Sequence, residues 1–430
     1  MNVALVTFGT RGDIQPFVAL AQGLRRAGHD AYLAAPSNFA RVAAAYDVPF
    51  RPFSIDSEEV AARPEVKRIV DSGKLLRLVR ARLLRRRHPV LDALNVDVWN
   101  LTQDAEAMIF RAGAPPAAYS IACKRRIPSV EVMYLPLEPS AELAAVAAGL
   151  RKPGGRLFNR VMGHVTYQLF WRMFCPSANR FRQEVLQMPP LPFFGLLGEY
   201  ARLGQPTFYA YSPSVLPKPS DWRPDAHVIG YLFAEEPPDS RPDPDLCAFL
   251  AAGPKPVYVG FGSMASADPR RSVAILLEGL RRAGQRVVLQ GGWGKLASGQ
   301  TLSGDVFPLE ETPFGWLFPR MAAVIHHGGA GTTSHALRAG VPSIVFPYNF
   351  DQPYWAQRLW ELGVSPKPVP IQRITPDSVA AAVEAAVRDP AMKQRAEEIG
   401  ARVRSEDGVG RAVELFNQYV DRFTAAPTPR

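Results

Sequence analysis

The sequence has 430 residues, of which 47% are hydrophobic and 21% are charged. This balance excludes a disordered chain, and no run of apolar residues approaches the roughly 18 that would predict a transmembrane helix. The formal net charge of +10 would suit an anionic partner such as nucleic acid, a membrane surface or an anionic substrate. Because one core stops growing at about 250 residues, two domains are expected.

The first elements form a strand, helix and strand. Residues 3–8 are an apolar run, residues 17–26 carry apolar side chains at helical spacing, and a second strand is predicted at residues 31–35. This alternation is typical of a parallel sheet. The chain enters its first strand without the basic region or the cleavage site of a signal peptide, so we expect a cytoplasmic protein.

The loop after the first strand ends in a carboxylate, Asp13. Loops that follow parallel strands leave the carboxyl edge of the sheet, where we expect a cleft between the two domains. Asp13 could there accept a proton from an acceptor hydroxyl. The alternative is that Asp13 caps a helix that begins near Ile14, and the two roles do not exclude each other.

Residues 67–88 carry the densest positive charge of the chain, nine Lys and Arg residues against the single acid Asp71. Leucines and valines recur among them at helical spacing, which predicts a basic amphipathic helix. Either this helix is an ordinary solvated surface, or its basic face contacts anionic lipid or guides the acceptor. Nucleic acid is disfavoured because no aromatic residues are interleaved to stack on bases.

A helix-rich middle section and a proline-dense linker separate two series of alternating elements. The first series continues with strands at residues 107–110 and 129–134, and the section from 140 to 205 is mainly helical. The predicted domains are residues 1–233, a linker at 234–244 and residues 245–404, followed by a C-terminal segment at 405–430. The second series predicts strands at 257–260, 286–290, 306–309, 322–326 and 343–347 and helices at 270–283, 332–339 and 354–362. The fold class is therefore α/β with two doubly wound, Rossmann-like sheets.

A glycine-rich turn joins the strand at 322–326 to the helix that follows it. A helix N-terminus offers unpaired N–H groups and about half a positive charge, and glycines allow a phosphate to approach the backbone. The turn predicts an anion site, although a tight turn with a buried histidine is the alternative. The residues proposed to contact the anion are His327, Gly328, Gly329, Gly331, Thr332 and Thr333.

Two further loops are expected at the same sheet edge. Asp351 and Gln352 follow the next strand. A carboxylate there would repel phosphate but could bind sugar hydroxyls. The alternative is that Asp351 caps a helix starting at Pro353. Gly262 and Ser263 follow the strand at 257–260, and Ser263 could donate to a phosphate. Residues 292–297 match GxGxxA, but without a following strand–helix–strand unit the match is weak.

No metal site is expected. Asp243, Pro244 and Asp245 spell DxD but lie among prolines and predict a helix start. The three cysteines are scattered without CxxC spacing.

Residues 307–370 resemble the donor-binding region of GT-B glycosyltransferases, the UDP-glycosyltransferase family of sterol, macrolide and glycopeptide enzymes. The opening residues 7–36 resemble the start of the same family. The resemblance implies metal-independent, inverting transfer of a hexose from a nucleotide-diphosphate sugar, with UDP-glucose favoured over a TDP-sugar and no cofactor. It also implies a lipophilic small-molecule acceptor and a C-terminal helix, at about residues 410–422, that crosses back to the first domain.

The resemblance assigns roles to single residues. His327, Gly331, Thr332 and Ser263 correspond to the diphosphate ligands, Asp351 and Gln352 to the sugar ligands, and Asp13 to the group that activates the acceptor. The residues expected near the acceptor are Thr10, Arg11 and Gly12, and those expected near the nucleobase are Trp293, Pro313, Phe314 and Trp316. Many relatives have a histidine where this chain has Phe314, which leaves the identity of the base open.

Two other functions fit part of the pattern. A nucleotide-sugar epimerase would share the architecture, but it needs acid and base groups on both faces of the sugar, and Asp351 has no paired carboxylate in its domain. A non-catalytic protein that only binds nucleotide sugars would share the phosphate loop. The presence of Asp13 favours an enzyme.

Overall fold

A computed structural model describes residues 1–63, 89–113, 115–144, 154–236, 243–262, 269–290, 304–310 and 312–425. Within them the chain divides into two compact units. The first unit contains the described residues up to Glu235 together with those from Glu406 onward, and the second runs from Glu236 to Ser405. Among the described helices, none is both long and apolar enough to cross a membrane.

Each unit is built on one parallel sheet. The strands are β1 (Asn2–Val6), β2 (Asp30–Pro36), β3 (Phe50–Phe53), β4 (Ala107–Arg111), β5 (Ser129–Met133), β6 (Thr207–Tyr209), β7 (Ala226–Val228), β8 (Val257–Val259), β9 (Val287–Gln290), β10 (Val306–Leu309), β11 (Ala323–His326) and β12 (Ser343–Val345). The first sheet has seven strands in the order β3-β2-β1-β4-β5-β6-β7, and the second has five in the order β10-β9-β8-β11-β12. Two parallel sheets confirm the predicted fold class.

The helices pack on these sheets. They are α1 (Arg11–Arg26), α2 (Ala40–Ala45), α3 (Ser57–Ala62), α4 (Pro89–Leu101), α5 (Ala118–Arg125), α6 (Arg156–Glu184), α7 (Leu197–Leu203), α8 (Pro244–Ala251), α9 (Pro269–Arg282), α10 (Phe314–Leu317), α11 (Ala330–Ala339), α12 (Gln352–Glu361), α13 (Pro376–Arg388), α14 (Pro390–Ser405) and α15 (Gly408–Ala425). Asp243 lies at the N-cap of α8, where its Oδ1 accepts from the Asp245 N–H at 2.8 Å. The DxD sequence is thus a helix start, as its prolines predicted.

Three strands of the first sheet were missed by the sequence analysis. β3 contains Pro52, and β6 and β7 are only three residues long, which leaves too little alternation to detect. β7 lies among the prolines of residues 213–244 and at the edge of the sheet, where a missing backbone N–H is tolerated.

The last helix, α15, packs on α1 inside the first unit. A Cβ at Gly23 of α1 would collide with the Val409 side chain, so the missing side chain lets the two helices meet closely. His29 Nε2 lies 2.9 Å from Asn417 Oδ1, and Phe416 is fully buried. Just before α15, Glu406 Oε1 accepts from the hydroxyls of Ser212 and Ser214 at 2.6 and 2.8 Å.

In the second unit, α11 and α14 approach each other backbone to backbone. A Cβ at Gly400 of α14 would lie 2.7 Å from the Cα of Gly340 and 2.8 Å from the carbonyl oxygen of Leu337. Gly340 ends α11 in the left-handed conformation, with φ +71°. This contact holds α11, the helix that follows the glycine-rich turn.

We therefore expect Gly400→Ala to lower the free energy of unfolding by about 1–3 kcal/mol, because the added methyl group forces two helix backbones apart. Urea unfolding followed by circular dichroism measures the change. Gly198→Ala is the control, since a Cβ there meets no atom within 4 Å and alanine favours the helix. Equal stability of the two variants would contradict the packing argument.

Candidate functional site

In the first unit, the candidate site lies where the strand order reverses. β1 is flanked by β2 on one side and β4 on the other, and ligands of doubly wound sheets bind outside the carboxyl ends of the strands at such a switch point. The loop after β1 leads directly into α1, whose first residue is Arg11. Arg111 is the last residue of β4.

Asp13 lies in the first turn of α1. The helix begins at Arg11, about one turn earlier than predicted, because Thr10 rather than Asp13 takes the N-cap position. The Thr10 N–H donates to Asp13 Oδ2 at 2.7 Å, which is the reciprocal bond of a capping box. The expectation that Asp13 is the N-cap of a helix starting near Ile14 is therefore wrong, although Asp13 does help to cap the helix.

Arg111 pairs with the other carboxylate oxygen. Its Nε lies 2.8 Å from Asp13 Oδ1, and the two side chains are 28% and 17% exposed. The hydroxyl of Tyr134, which directly follows β5, donates to the Asp13 carbonyl oxygen at 3.1 Å. Burial raises the pKa of Tyr134 well above its usual value, so this phenol stays protonated. The sequence analysis did not single out Arg111. The feature of the sequence that could have indicated it is a charged residue directly after the apolar run at 107–110.

This arrangement suits a general base. The guanidinium of Arg111 holds the carboxylate in one orientation. Asp13 Oδ2 accepts from both the N–H and the hydroxyl of Thr10, at 2.7 and 3.2 Å, whereas Oδ1 is paired with Arg111. Because the Asp13 side chain keeps some exposure, a remaining carboxylate lone pair can accept a proton. The residues Thr10, Arg11 and Gly12 form the N-terminus of α1 around it.

In the second unit, the corresponding switch point lies between β8 and β11. His326 is the last residue of β11 and is fully buried. Its Nδ1 accepts from the Gly328 N–H at 3.1 Å, which places the proton of the neutral ring on Nε2. Burial lowers the pKa of His326 to about 3. This histidine, to which the sequence analysis gave no role, shapes the glycine-rich turn.

His327 lies between two glycines. Its ring is 3.5 Å from the position of a Cβ at Gly262, and a Cβ at Gly329 would collide with it. Burial lowers the pKa of His327 to about 4, so the ring is neutral at neutral pH. In the part of the chain that the structure describes, its buried Nδ1 has no hydrogen-bond partner. An enclosed, neutral imidazole with an unsatisfied nitrogen is suited to a polar ligand.

The glycine-rich turn opens directly onto the N-terminus of α11. The N-cap residue is Gly329, which has no side chain to accept from the first N–H groups of the helix. These N–H groups can therefore donate hydrogen bonds to an anion. Gly328 has φ +90°, and a Cβ there would lie 3.0 Å from the Val345 side chain. Thr333 is buried and Thr332 is partly exposed, so Thr332 is the better placed of the two predicted hydroxyls.

The loop after β12 contacts the same turn. The Gln352 carbonyl oxygen lies 3.2 Å from the Cβ position at Gly328, so the structure brings these two predicted loops together. The side-chain Oε1 of Gln352 accepts from the Tyr348 N–H at 2.9 Å, which leaves the amide NH₂ as the donor for a ligand. Asp351 is the N-cap residue of α12 but makes no side-chain cap bond, and the helix begins at Gln352 rather than Pro353.

Phe350, which precedes Asp351, was not singled out from the sequence. It is 41% exposed and has φ +57°, a conformation that costs a non-glycine residue on the order of 1 kcal/mol. Such strain is common at ligand sites.

The predicted nucleobase residues are only partly described. Pro313 is the N-cap of α10, and the ring of Phe314 stacks on Phe318 with centroids 4.4 Å apart. The guanidinium of Arg320 lies 4.2 Å from the centroid of the Trp316 ring. Ser263, Trp293, the GxGxxA match at 292–297 and the basic segment at 67–88 lie outside the described residues.

Two family models match the chain, one in its N-terminal half and one in its C-terminal half. The glycosyltransferase family 28 N-terminal domain matches residues 3–91, and the erythromycin biosynthesis protein CIII-like C-terminal domain matches residues 275–409. O-mycaminosyltylonolide 6-deoxyallosyltransferase of Streptomyces fradiae is 35% identical over 435 residues, which cover 100% of both chains. The chain belongs to the GT-B glycosyltransferases.

Other similar proteins agree with this assignment. Sterol 3-beta-glucosyltransferase UGT80B1 of Arabidopsis thaliana is 33% identical over 98% of this glycosyltransferase and 68% of its own length. The crystal structure of glycosyltransferase VinC in complex with dTDP has a TM-score of 0.65 and 17% identity, and the match covers 98% of this chain and 100% of VinC. At that identity the likeness concerns the fold alone. The enzyme class predicted from the sequence is confirmed.

Proposed function

We propose that this glycosyltransferase is an inverting, metal-independent hexosyltransferase that moves glucose from UDP-glucose to a hydroxyl of a lipophilic small molecule. The observation that supports it most is the placement of chemically different groups at the two switch points. A carboxylate held by an arginine lies at the first, and a helix N-terminus with a neutral histidine lies at the second. A transfer reaction needs a base for the acceptor and an anion site for the leaving group.

In the proposed reaction, the acceptor oxygen attacks the anomeric carbon of the sugar from the face opposite the diphosphate. The acceptor O–H proton passes to Asp13 as the new C–O bond forms. The bond between the anomeric carbon and the phosphate oxygen breaks, and the nucleoside diphosphate leaves with the electron pair. The N–H groups at the start of α11 and the His327 ring stabilise the charge that develops on it, which is the work that a metal ion would otherwise do.

Different observations support the proposed sugar site and the proposed acceptor. Gln352 contacts the glycine-rich turn and Asp351 directly precedes Gln352, so these two residues are proposed to bind the sugar hydroxyls. The relatives named above are a macrolide-type deoxyallosyltransferase and a sterol glucosyltransferase, which supports a lipophilic natural product or sterol as the acceptor. Neither relative is named as an epimerase or as a non-catalytic protein.

We also propose a cytoplasmic location and a peripheral contact of residues 67–88 with anionic lipid. The support is the charge of that segment, since a basic residue near an anionic surface contributes about 1 kcal/mol to binding. Its structure lies outside the described residues.

The donor is tested with a panel of nucleotide sugars. Because a ligand that binds only the folded state stabilises it by RT ln(1 + [L]/Kd), UDP-glucose at a hundredfold excess over Kd should add about 2.7 kcal/mol to the stability. The melting temperature should rise more with UDP-glucose than with dTDP-glucose, ADP-glucose or GDP-mannose. A response to a dTDP-sugar alone would identify the alternative donor and contradict the proposed one.

We expect Asp13→Asn to lower turnover by about a hundredfold to ten-thousandfold, because asparagine can still accept the Thr10 N–H but cannot take a proton. Donor affinity, measured by calorimetry, should change little. Asp56→Asn is the matched control, since Asp56 also accepts backbone N–H bonds at a helix start of the first unit and should leave turnover unchanged. Turnover of the Asp13 variant within about threefold of the wild type would exclude Asp13 as the base.

We expect His327→Ala to weaken UDP-glucose binding by about 1.5–3 kcal/mol, the range for a hydrogen bond to a charged group. A chelator should not reduce activity. His227→Ala is the control, because burial also lowers the pKa of that partly exposed histidine to about 4, but it lies in the first unit. Unchanged affinity in the His327 variant, or a requirement for a divalent cation, would refute this part of the mechanism.

A further inference from the structure

The first half of α6 exposes an apolar face that the proposed reaction does not use. Leu157, Phe158, Val161 and Val165 are 76%, 50%, 51% and 44% exposed. Their spacing along the helix places Leu157, Val161 and Val165 within one stripe and Phe158 beside it.

The orientation of this face is set by contacts on the other side of α6. Asn159 is buried and donates from Nδ2 to the Ala141 carbonyl oxygen at 3.0 Å. Gly163 lies so close to the chain at Pro139 that a Cβ would be 3.0 Å from the Pro139 Cα. Because these contacts hold the helix, the apolar stripe cannot rotate inward.

The loop that follows α6 adds two more exposed apolar residues beside the apolar stripe of that helix. Phe193 and Phe194 are 61% and 80% exposed, and their ring centroids are 5.0 Å apart. Gln168 donates to the Phe193 carbonyl oxygen at 2.9 Å, and the guanidinium of Arg172 lies 3.5 Å from the centroid of the Phe193 ring. The six apolar residues form one surface, which we call the α6 patch: Leu157, Phe158, Val161, Val165, Phe193 and Phe194.

Basic residues predominate along the α6 patch. Residues 154–198 contain a single acidic residue, Glu184, which lies at the far end of α6. Arg156, Arg160 and Arg172 are interspersed with the apolar side chains, and Arg160 pairs with Asp221 at 3.3 Å. An exposed apolar stripe with Arg156 and Arg172 along it complements the interface of an anionic bilayer, where apolar side chains enter the acyl boundary and arginines meet lipid phosphates.

We propose that the α6 patch docks on an anionic phospholipid surface. The stripe of α6 and the two phenylalanines enter the interface, and Arg156 and Arg172 contact the headgroups. The contact is peripheral and separate from the basic segment at residues 67–88. It goes beyond sugar transfer, and it does not depend on which sugar or acceptor the enzyme uses.

The test is co-sedimentation of the full chain with two kinds of vesicle, phosphatidylcholine alone and equal parts of phosphatidylcholine and phosphatidylglycerol. We expect binding to the anionic vesicles and weaker binding to the neutral ones. The double variant Phe193→Ser, Phe194→Ser should bind the anionic vesicles at least about tenfold more weakly, because two exposed rings lose their apolar burial. Arg156→Gln and Arg172→Gln should each weaken binding about fivefold.

The control variant is Val96→Ser, Phe423→Ser, which removes two exposed apolar side chains of the same unit outside the α6 patch. It should bind like the wild type, and the melting temperatures of all variants should agree. The variant Arg85→Glu, Arg86→Glu, Arg87→Glu tests residues 67–88 separately.

Three results would overturn the proposal. One is no binding of the wild type to anionic vesicles. The second is that the Phe193→Ser, Phe194→Ser variant binds anionic vesicles as strongly as the wild type. This includes the case in which only the variant at Arg85, Arg86 and Arg87 loses vesicle binding. The third is equal loss in the control variant, which would show that exposed apolar residues anywhere contribute equally.

Discussion

Parallel strand pairing is the constraint on which both candidate sites depend. In a parallel sheet every loop that follows a strand leaves the same edge, and a reversal of the strand order opens a crevice there. β1 pairs with β4 in the first unit, which brings Asp13 and Arg111 together from distant parts of the chain. β8 pairs with β11 in the second, which places His327 beside Gly262. Without these pairings neither cluster would exist.

The two clusters solve opposite electrostatic problems. In the proposed reaction Asp13 must be accessible to the acceptor, and an arginine and a backbone N–H hold it while part of its side chain stays exposed. In the same proposal the glycine-rich turn must hold an anion and also remain stable when it is empty. His326 is buried, His327 is half-buried, and both rings are uncharged. The positive end of the turn is the dipole of α11, which carries no net charge to desolvate.

The α6 patch fits a lipophilic acceptor. A sterol or a similar molecule dissolves in a bilayer far more readily than in water, because each buried CH₂ group contributes about 0.8 kcal/mol. A first unit that rests on the lipid surface would meet such a molecule at a much higher local concentration. This connects the exposed side of α6 to the proposed chemistry without making either proposal depend on the other.

Local sequence was sufficient wherever local forces decide the structure. The order of most strands and helices, the two parallel sheets, the capped helix start at Asp243 and the glycine-rich turn before α11 follow from apolar spacing and from glycine, proline and capping chemistry. These signals act within about one helical turn or one strand, so they can be recognised without the fold. The resemblance to a known family added residue roles that spacing could not supply.

Only the tertiary structure decided contacts between distant segments. The sequence contains Arg111 but nothing that links it to Asp13, because their meeting depends on the neighbour that β1 acquires in the sheet. The start of α1 at Arg11 depends on the bond between Thr10 and Asp13. The side-chain oxygen of Gln352 accepts a hydrogen bond from the backbone of its own loop. The side of α6 that stays exposed is likewise set by Asn159 and Gly163 against residues 139–141, since helical spacing determines which residues share a face but not which face the rest of the chain covers.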